Sequence, residues 1–452
     1  MGNLFSSVLG VTNALNVYDR QLANIQNNIA NANTPGYVKQ TQTLVAKRTD
    51  FDHGLPGGVQ AGPLVSSRND FAEHNVQQQF SALGQVEQKA TDLARLESLF
   101  DLQSSTGVSG KISDFFNSFS QLSVNPNDQL ARQSVIDSAG QLSDSINQAA
   151  NGLAAVTSGA RSQANDIVGS VNRLAEQIRQ VNSAYRQNFQ AAGDAGLDAS
   201  MYSSLEELSE YAGFTTSRAA DGTVSVFLGG QVPLVVGDRS FPISTGQSSG
   251  AMQVFSSTGA DITNKITSGQ LSGALQETNE LIPSYTASLN KLATSIADQV
   301  NQKLSEGVDA NGAAPTTTLF DYDPANPAMT LRVTGIQPDQ IAAATADSPG
   351  GNSNALDIAA LATNKSLDGY TFTGYFGNLG GSIGREISNA ENDDQSQQSL
   401  VQQARSLRSE MSSVSINDEA AQLLQVQRAY QAGGKLIGVL NELLDTLIGI
   451  LR

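Results

Sequence analysis

Apolar residues recur every three or four positions along the first helix-forming stretch of the chain. They are Leu4, Val8, Val11, Leu15, Tyr18, Leu22, Ile25 and Ile29. Alternating steps of four and three place such side chains on one side of an α-helix, as at the a and d positions of a coiled coil. Only Asp19 and Arg20 are charged before Tyr37. A helix with so little charge is expected to be covered on more than one side.

The C-terminal end carries a matching pattern. Its apolar seam is Leu423, Val426, Tyr430, Gly433, Ile437, Leu440, Leu444, Leu447 and Leu451, and the residues that widen it are Leu424, Leu443, Ile448 and Ile450. Either helix alone could belong to an ordinary bundle. Chain ends usually fray, so two apolar helices at opposite ends indicate burial against each other or against other molecules. We predict that the two helices pair as an antiparallel coiled coil.

Between the ends, the same period predicts long helices. They cover about Phe80–Phe100, Ile112–Leu122, Asp128–Arg186, Gln270–Leu304, Asn354–Ala362 and Ile383–Met411. No proline interrupts the third of these, which would be a rod roughly 80–90 Å long. Pro283 is expected to start or kink a helical segment.

A β-rich part follows residue 211, where the apolar period changes to two. The stretches "TVSVFL" and "VPLVV" predict short strands, and "ADG" predicts a hairpin turn. The predicted fold class is therefore mainly α with a smaller β part (α+β), made of a terminal antiparallel coiled coil, a long helical bundle and a β-rich subdomain.

The predicted domains follow these changes of pattern. They are residues 1–45 with 412–452 as the terminal coiled coil, 46–211 with 264–306 and 353–411 as the long-helix bundle, 212–263 as the β-rich subdomain, and 307–352 as a short loop and strand segment.

Composition narrows the class of function. The net charge of -17 argues against nucleic-acid binding and against docking on anionic lipid, which both require a basic surface. The absence of cysteine excludes disulfides and thiolate chemistry. The N-terminus lacks the pattern of a cleaved secretory signal. We therefore expect a chain that is cytoplasmic or exported with its N-terminus intact.

The sequence offers little for catalysis. His53 and His74 lack the spacing of metal ligands. The pair Glu206 and Glu207 is expected on a solvated helix face, and "VDANG", which starts at Val308, is expected to be a polar turn rather than a calcium loop. We predict no enzyme activity, no catalytic or metal-binding residues and no cofactor.

Asparagines crowd the end of the first helix in "NNIANANTPGYVKQ", which begins at residue 27. Amides supply donors and acceptors without charge, so they can satisfy helix-terminal carbonyls and bridge to neighbouring subunits. Pro35 and Gly36 suit a type II turn. We expect this turn to set the angle between the coiled coil and the next domain.

These residues also carry a resemblance. The stretch "NNIANANTPGYVKQ" and the C-terminal stretch "SINDEAAQLLQVQRAYQAGGKLIGVLNELLDTLIGIL" resemble the end motifs of bacterial flagellar axial proteins. The stretches "ISDFFNSFSQLSVNPNDQLARQSVI", "ADGTVSVFLGGQVPLV" and "GGNSNALDIAALAT" resemble the flagellar hook-associated protein 1 family. Only about forty residues separate Gly312 from Asn354. The outer domain often found in the family is therefore expected to be reduced or absent.

The resemblance implies a structural axial protein that forms the junction between hook and filament after type III export. It implies an extracellular location in the bacterial flagellum, reached without a cleaved signal peptide. The implied partners are further copies in a ring or tube, the hook protein below, the second hook-filament junction protein above, and a flagellar export chaperone on the C-terminal helix. Nucleic acid and membrane are not expected partners.

The implied assembly interface combines the two seams with the asparagine turn, including Asn28, Asn31, Asn33, Pro35, Gly36 and Tyr37. Two alternatives remain open. One is another axial protein, such as the hook protein or the second junction protein. The other is an exported enzyme or effector whose coiled-coil ends only mediate assembly.

Overall fold

Long helices dominate the computed structural model, which describes residues 2–48, 57–97, 100, 107–187, 194–248 and 250–450. The helices are α1 (Gly2–Ala30), α2 (Asp70–Glu97), α3 (Val108–Val124), α4 (Gln129–Gln187), α5 (Ala195–Tyr211), α6 (Gln270–Gln276), α7 (Ile282–Glu306), α8 (Pro327–Thr330), α9 (Ser353–Ala360), α10 (Phe372–Ser412) and α11 (Ile416–Ile450). A π-helical segment, Glu277–Leu281, joins α6 to α7. The predicted fold class, mainly α with a smaller β part, is confirmed.

The strands are short and antiparallel. They are β1 (Gln40–Lys47), β2 (Gly58–Ser66), β3 (Phe214–Arg218), β4 (Val224–Leu228), β5 (Val232–Val236), β6 (Arg239–Ser240), β7 (Ser244–Ser248), β8 (Ala251–Phe255), β9 (Gly307–Val308), β10 (Phe320–Asp321), β11 (Arg332–Val333) and β12 (Ala344–Thr345). Strands β3 to β6 form one four-stranded sheet in chain order, and the others pair as β1–β2, β7–β8, β9–β12 and β10–β11. The predicted hairpin turn at "ADG" joins β3 to β4, with Gly222 at φ +88°.

Helix α4 contributes to both hydrophobic cores of the molecule. Its 59 residues make a rod of roughly 90 Å. The N-terminal half of α4 shares a core with α3, α7, α9 and the start of α10, where Phe115, Phe116 and Phe119 are fully buried. The C-terminal half packs on α5, α6 and the β-rich part. Because α4 enters both cores, it fixes one relative to the other.

Several helix boundaries differ from the sequence prediction, and α2 begins at Asp70 rather than near Phe80. Helix α10 begins at Phe372, well before Ile383, because the Thr371 side chain caps it and Phe372 and Phe376 are buried. The glycines between residues 374 and 384 hide this start from a propensity argument. Helix α2 ends at Glu97, before Phe100.

Another difference lies in the helix predicted over residues 270–304. The π-helical segment interrupts it, and Pro283 lies in the first turn of α7. An unpaired NH is normal at this position, so proline is tolerated there.

The β1–β2 hairpin was not predicted. Its strands pair from Gln40 with Ser66 to Lys47 with Gly58, and the hairpin packs against α1. The domain boundary predicted after residue 45 lies within β1. No helix in the described ranges has an apolar stretch long enough to cross a bilayer.

Candidate assembly interface

The two predicted seams face each other within one chain. Helices α1 and α11 pack side by side, and Asn28 lies beside Glu419 while Leu15 lies beside Gly433. The residue number falls along one helix as it rises along the other, so the pair is antiparallel, as predicted. The α1 seam contains no exposed residue: Ile25 is buried, and Leu4, Val8, Val11, Leu15, Tyr18, Leu22 and Ile29 are half-buried.

The α11 seam is less well covered. Its half-buried members are Leu423, Val426, Ile437, Leu440 and Leu444. Tyr430 and Leu447 lie at its border, with 37% and 38% of their surface exposed. Leu451 lies outside the described residues.

A glycine permits the close approach of the two helices. A Cβ atom added to Gly433 would lie 2.8 Å from Cδ2 of Leu15, closer than carbon atoms pack. Helix α1 therefore rests directly on the backbone of α11 at this level.

A second apolar surface on α11 remains uncovered. We call Leu436, Val439, Leu443, Leu447 and Ile450 the exposed stripe. At 100° per residue these five side chains fall within an arc of about 80°, roughly a quarter turn from the seam. Val439 is 54% and Ile450 76% exposed. Of the 35 residues of α11, Glu419 is the one that is buried.

The outer side of α1 adds to this uncovered surface. Phe5 and Leu9 are 66% and 58% exposed, and they project away from the seam. The sequence prediction missed them, although their spacing of four residues places both on one helix face. A pair of helices with this much exposed apolar surface is expected to bind further molecules that cover it.

Asn28 ties the coiled coil to the chain that leaves it. Its amide nitrogen donates to the Gln40 carbonyl (2.9 Å) and to Glu419 Oε2 (3.0 Å). Its amide oxygen accepts from Tyr37 Oη (2.9 Å) and from the Gln40 backbone nitrogen (3.0 Å). All hydrogen-bonding positions of this buried amide are thereby used, which explains why an asparagine stands within an apolar helix.

Glu419 completes this joint from α11. Its buried carboxylate pairs with Lys39 Nζ at 2.8 Å and accepts from Asn28. It lies in the first turn of α11, where the helix dipole favours negative charge. Burial, followed by the nearby Glu419, raises the pKa of Tyr37. The sequence prediction missed Glu419, because its partner lies 391 positions away.

The type II turn predicted at Pro35 and Gly36 is present. The Tyr37 backbone nitrogen donates to the Thr34 carbonyl at 3.1 Å, and Gly36 has φ +73°. A Cβ atom on Gly36 would lie 2.3 Å from the Ala199 carbonyl oxygen of α5. The turn is therefore pressed against the helical body at a point where only glycine fits.

Arg68 holds the same turn from the other side. Its guanidinium donates to the Gly36 carbonyl (2.6 Å) and to Asp198 (2.8 Å), pairs with Glu73 and lies 3.7 Å over the Tyr202 ring. Its side chain is only 5% exposed. One buried arginine thus connects the turn, α2 and α5.

Helix α10 joins this charged cluster through Glu206. The predicted solvated face is wrong for this residue, because its carboxylate pairs with Arg405 (2.9 Å) and Arg408. Burial opposes ionisation of Glu206, but these ion pairs prevail and lower its pKa. Glu207 is exposed and pairs with Arg173.

The other predicted turn residues surround the joint. Asn31 donates to Asn27 and accepts from Thr34, while Asn33 and Pro35 are exposed. Asn27 and Asn31 line a cleft of about 1040 Å³ between α1 and the C-terminal part of α4 with α5. Eleven of its 19 lining residues carry an amide or a hydroxyl group.

Candidate chemistry is sparse in the part of the chain that the structure describes. His74 is exposed on α2, and His53 lies outside the described residues. The "VDANG" stretch is a polar turn in which Asp309 accepts from two backbone nitrogens. No group of three metal-binding side chains occurs among the described positions.

Comparison with known proteins identifies the family of this chain. The family model "Flagellar hook-associated protein FlgK helical domain" matches residues 93–320, just over half of the chain. The chain belongs to the FlgK family of flagellar hook-associated proteins. A second model, the C-terminal region of the flagellar basal body rod FlgEFG proteins, matches residues 405–450, which include α11.

Curated FlgK proteins are similar to this chain in sequence. The chain is 25% identical to "Flagellar hook-associated protein 1" of Bacillus subtilis over 99% of this chain and 98% of that protein. It is 24% identical to the Salmonella typhimurium protein of the same name over 66% of this chain and 56% of that one. FlgK proteins are structural components of the flagellum rather than enzymes, which confirms the expectation of a non-enzymatic chain.

A solved FlgK structure has a similar fold. The flagellar hook junction protein FlgK from Burkholderia pseudomallei superposes with a TM-score of 0.67 at 17% identity, over 74% of this chain and 99% of that chain. Like other FlgK proteins, this chain assembles with flagellar components, and its place is in the flagellum.

Proposed function

We propose that this chain is the structural subunit that forms the junction between hook and filament. The observation that carries the proposal is α11, a leucine-rich helix in which no apolar side chain is buried within one chain. Such a surface needs further molecules to cover it. FlgK membership makes those molecules flagellar subunits and favours this reading over the hook protein or an exported enzyme.

In this proposal the terminal coiled coil forms an inner tube. The seam joins α1 to α11 within each copy, and the exposed stripe with Phe5 and Leu9 contacts neighbouring copies. Fully burying an exposed apolar side chain contributes roughly 1.5–3 kcal/mol, and these partly exposed side chains contribute correspondingly less. The long-helix bundle and the β-rich subdomain form the next shell. Their limits are those predicted from the sequence, except for the limit after residue 45, which would divide β1.

The joint fixes the angle between these shells. Asn28, Lys39 and Glu419 hold the coiled coil, while Gly36 and Arg68 hold the turn against the body. Both chain crossings between coiled coil and body pass through this region, since the Lys39 backbone nitrogen donates to Ser412 (3.0 Å). Subunits of a tube need one common angle, and this network supplies it.

The proposed partners are the hook protein below and the second hook-filament junction protein above. We also propose type III export. A flagellar export chaperone would cover α11 before assembly, because its apolar stripe is exposed in the free chain.

Deletion of the gene tests the proposed function. Cells without this chain should form hooks but no filaments, and flagellin should appear in the medium, because filament subunits would lack a base. Electron microscopy of the cells and analysis of the medium measure both. Restoration by a plasmid-borne copy is the control. Normal filaments in the deletion strain would contradict the proposal.

A further inference from the structure

Two acidic side chains meet in the interior of the helical body. Asp92 on α2 is 1% exposed, and Glu277 in the π-helical segment is fully buried. Among the described residues, no donor contacts either carboxyl oxygen of Glu277. A buried carboxylate without a donor would cost several kcal/mol, so this environment selects against the charged form.

The cations near this pair are already engaged. Arg95 donates to Asp92 Oδ1 at 2.9 Å, and Lys89 pairs with Glu386 of α10. Gln88 donates to the other Asp92 oxygen at 2.6 Å. Tyr285 of α7 also faces this region. Asp92 is thus supported as a carboxylate, whereas Glu277 is not.

The π-helical segment explains how Glu277 comes to lie here. Asn279 in the same segment exchanges two hydrogen bonds with the Met252 backbone of β8, at 2.8 and 2.9 Å. The wider helical turn lets Asn279 reach the β-rich part while Glu277 faces α2. The pair therefore lies where the two cores of the body meet.

We propose that Asp92 and Glu277 share one proton and that this pair makes the helical body less stable as the pH rises. Neutral Glu277 donates its hydroxyl to the Asp92 carboxylate, which satisfies both groups. Nothing else in the proposed junction function requires this pair.

The direction of the pH effect follows from proton binding. Burial, followed by the neighbouring Asp92, raises the pKa of Glu277 from 4.5 to about 11. Between these values the folded chain keeps a proton that the unfolded chain loses. Raising the pH therefore favours unfolding by up to about tenfold per pH unit.

One consequence rests on the proposed function. Where the cell interior is more alkaline than the surroundings, the pair makes the folded chain less stable inside the cell than outside it. A chain that is exported unfolded would then be easier to unfold before export and more stable after it.

Equilibrium unfolding in urea between about pH 5 and 9 tests the pair in the purified full-length monomer. In Glu277→Gln the amide can donate to Asp92 without titrating. We expect the logarithm of its unfolding constant to depend on pH with a slope about one unit smaller than in the parent. At about pH 8 the unfolding constant of the variant should be at least a hundredfold smaller than that of the parent.

Glu280→Gln is the matched control, because Glu280 is exposed in the same π-helical segment. Its slope should equal that of the parent. Parallel slopes for Glu277→Gln and the parent would overturn the proposal.

Infrared spectroscopy keeps the test independent of whether Glu277→Gln folds. The parent should show the carbonyl stretch of a protonated carboxyl group at neutral pH. In Asp92→Asn this band should shift to higher frequency, because an amide oxygen is a weaker hydrogen-bond acceptor than a carboxylate. A folded parent without that band would also overturn the proposal. These results concern the monomer, so they leave the proposed junction function to the deletion experiment.

Discussion

Replacing Val439 and Leu443 with aspartate should abolish assembly while the monomer stays folded. Both side chains are about half exposed on α11 and belong to the exposed stripe rather than to the seam. In the assembly each aspartate would be buried without a partner, at a cost of several kcal/mol. We expect unchanged helicity by circular dichroism and no filaments by electron microscopy. Secretion is measured separately, because the proposed chaperone covers the same stripe.

The neighbouring pair Leu440 and Leu444 is the matched comparison. These residues have the same spacing on the same helix, but they are half-buried on the seam. Leu440→Asp with Leu444→Asp should therefore separate α1 from α11 already in the monomer, which amide exchange along α1 would report. Normal filaments in cells that carry Val439→Asp with Leu443→Asp would show that the stripe is not the contact surface.

Replacing Gly36 with alanine should loosen the joint between the coiled coil and the body. A φ of +73° costs a side chain about 1–2 kcal/mol, and the added Cβ would also lie 2.3 Å from the Ala199 carbonyl oxygen. The turn must then move away from α5 and from Arg68. We expect filaments to be lost although both cores remain folded.

Gly230→Ala is the control that separates the cost of the positive φ from the clash with the Ala199 carbonyl oxygen. Gly230 has the same φ of +73° but open space around it, so only the backbone cost applies. The chain has no cysteine, and spin labels at Asp19→Cys and Asp166→Cys would report the distance between α1 and α4. The distribution of this distance should broaden in Gly36→Ala and stay narrow in Gly230→Ala. Equal distributions would contradict the role assigned to the turn.

The sequence predicts the elements whose signal is a long apolar period. The seam, the α4 rod and the strands β4 and β5 lie where the pattern places them, because burial on one face imposes that period. The turn at Gly36 was predictable for a different reason. Proline fixes φ at the first corner of a type II turn, and glycine tolerates the positive φ at the second.

The remaining features depend on contacts between distant segments. Arg68 joins Gly36 to Asp198, and Glu419 meets Asn28 across nearly the whole chain. No local pattern marks such partners. The exposed stripe has the same residue types as the seam, so only the packed structure separates the side chains that pair within the chain from those left free.

Chemical labelling of one engineered cysteine tests most directly whether neighbouring copies cover the stripe. Val439→Cys should react rapidly with a maleimide in the monomer and slow by more than about tenfold in flagella isolated from cells with that variant as the only copy. Asp137→Cys, exposed on α4, controls for reagent access. If Val439→Cys reacts equally fast in monomer and flagella, the stripe is not an assembly surface.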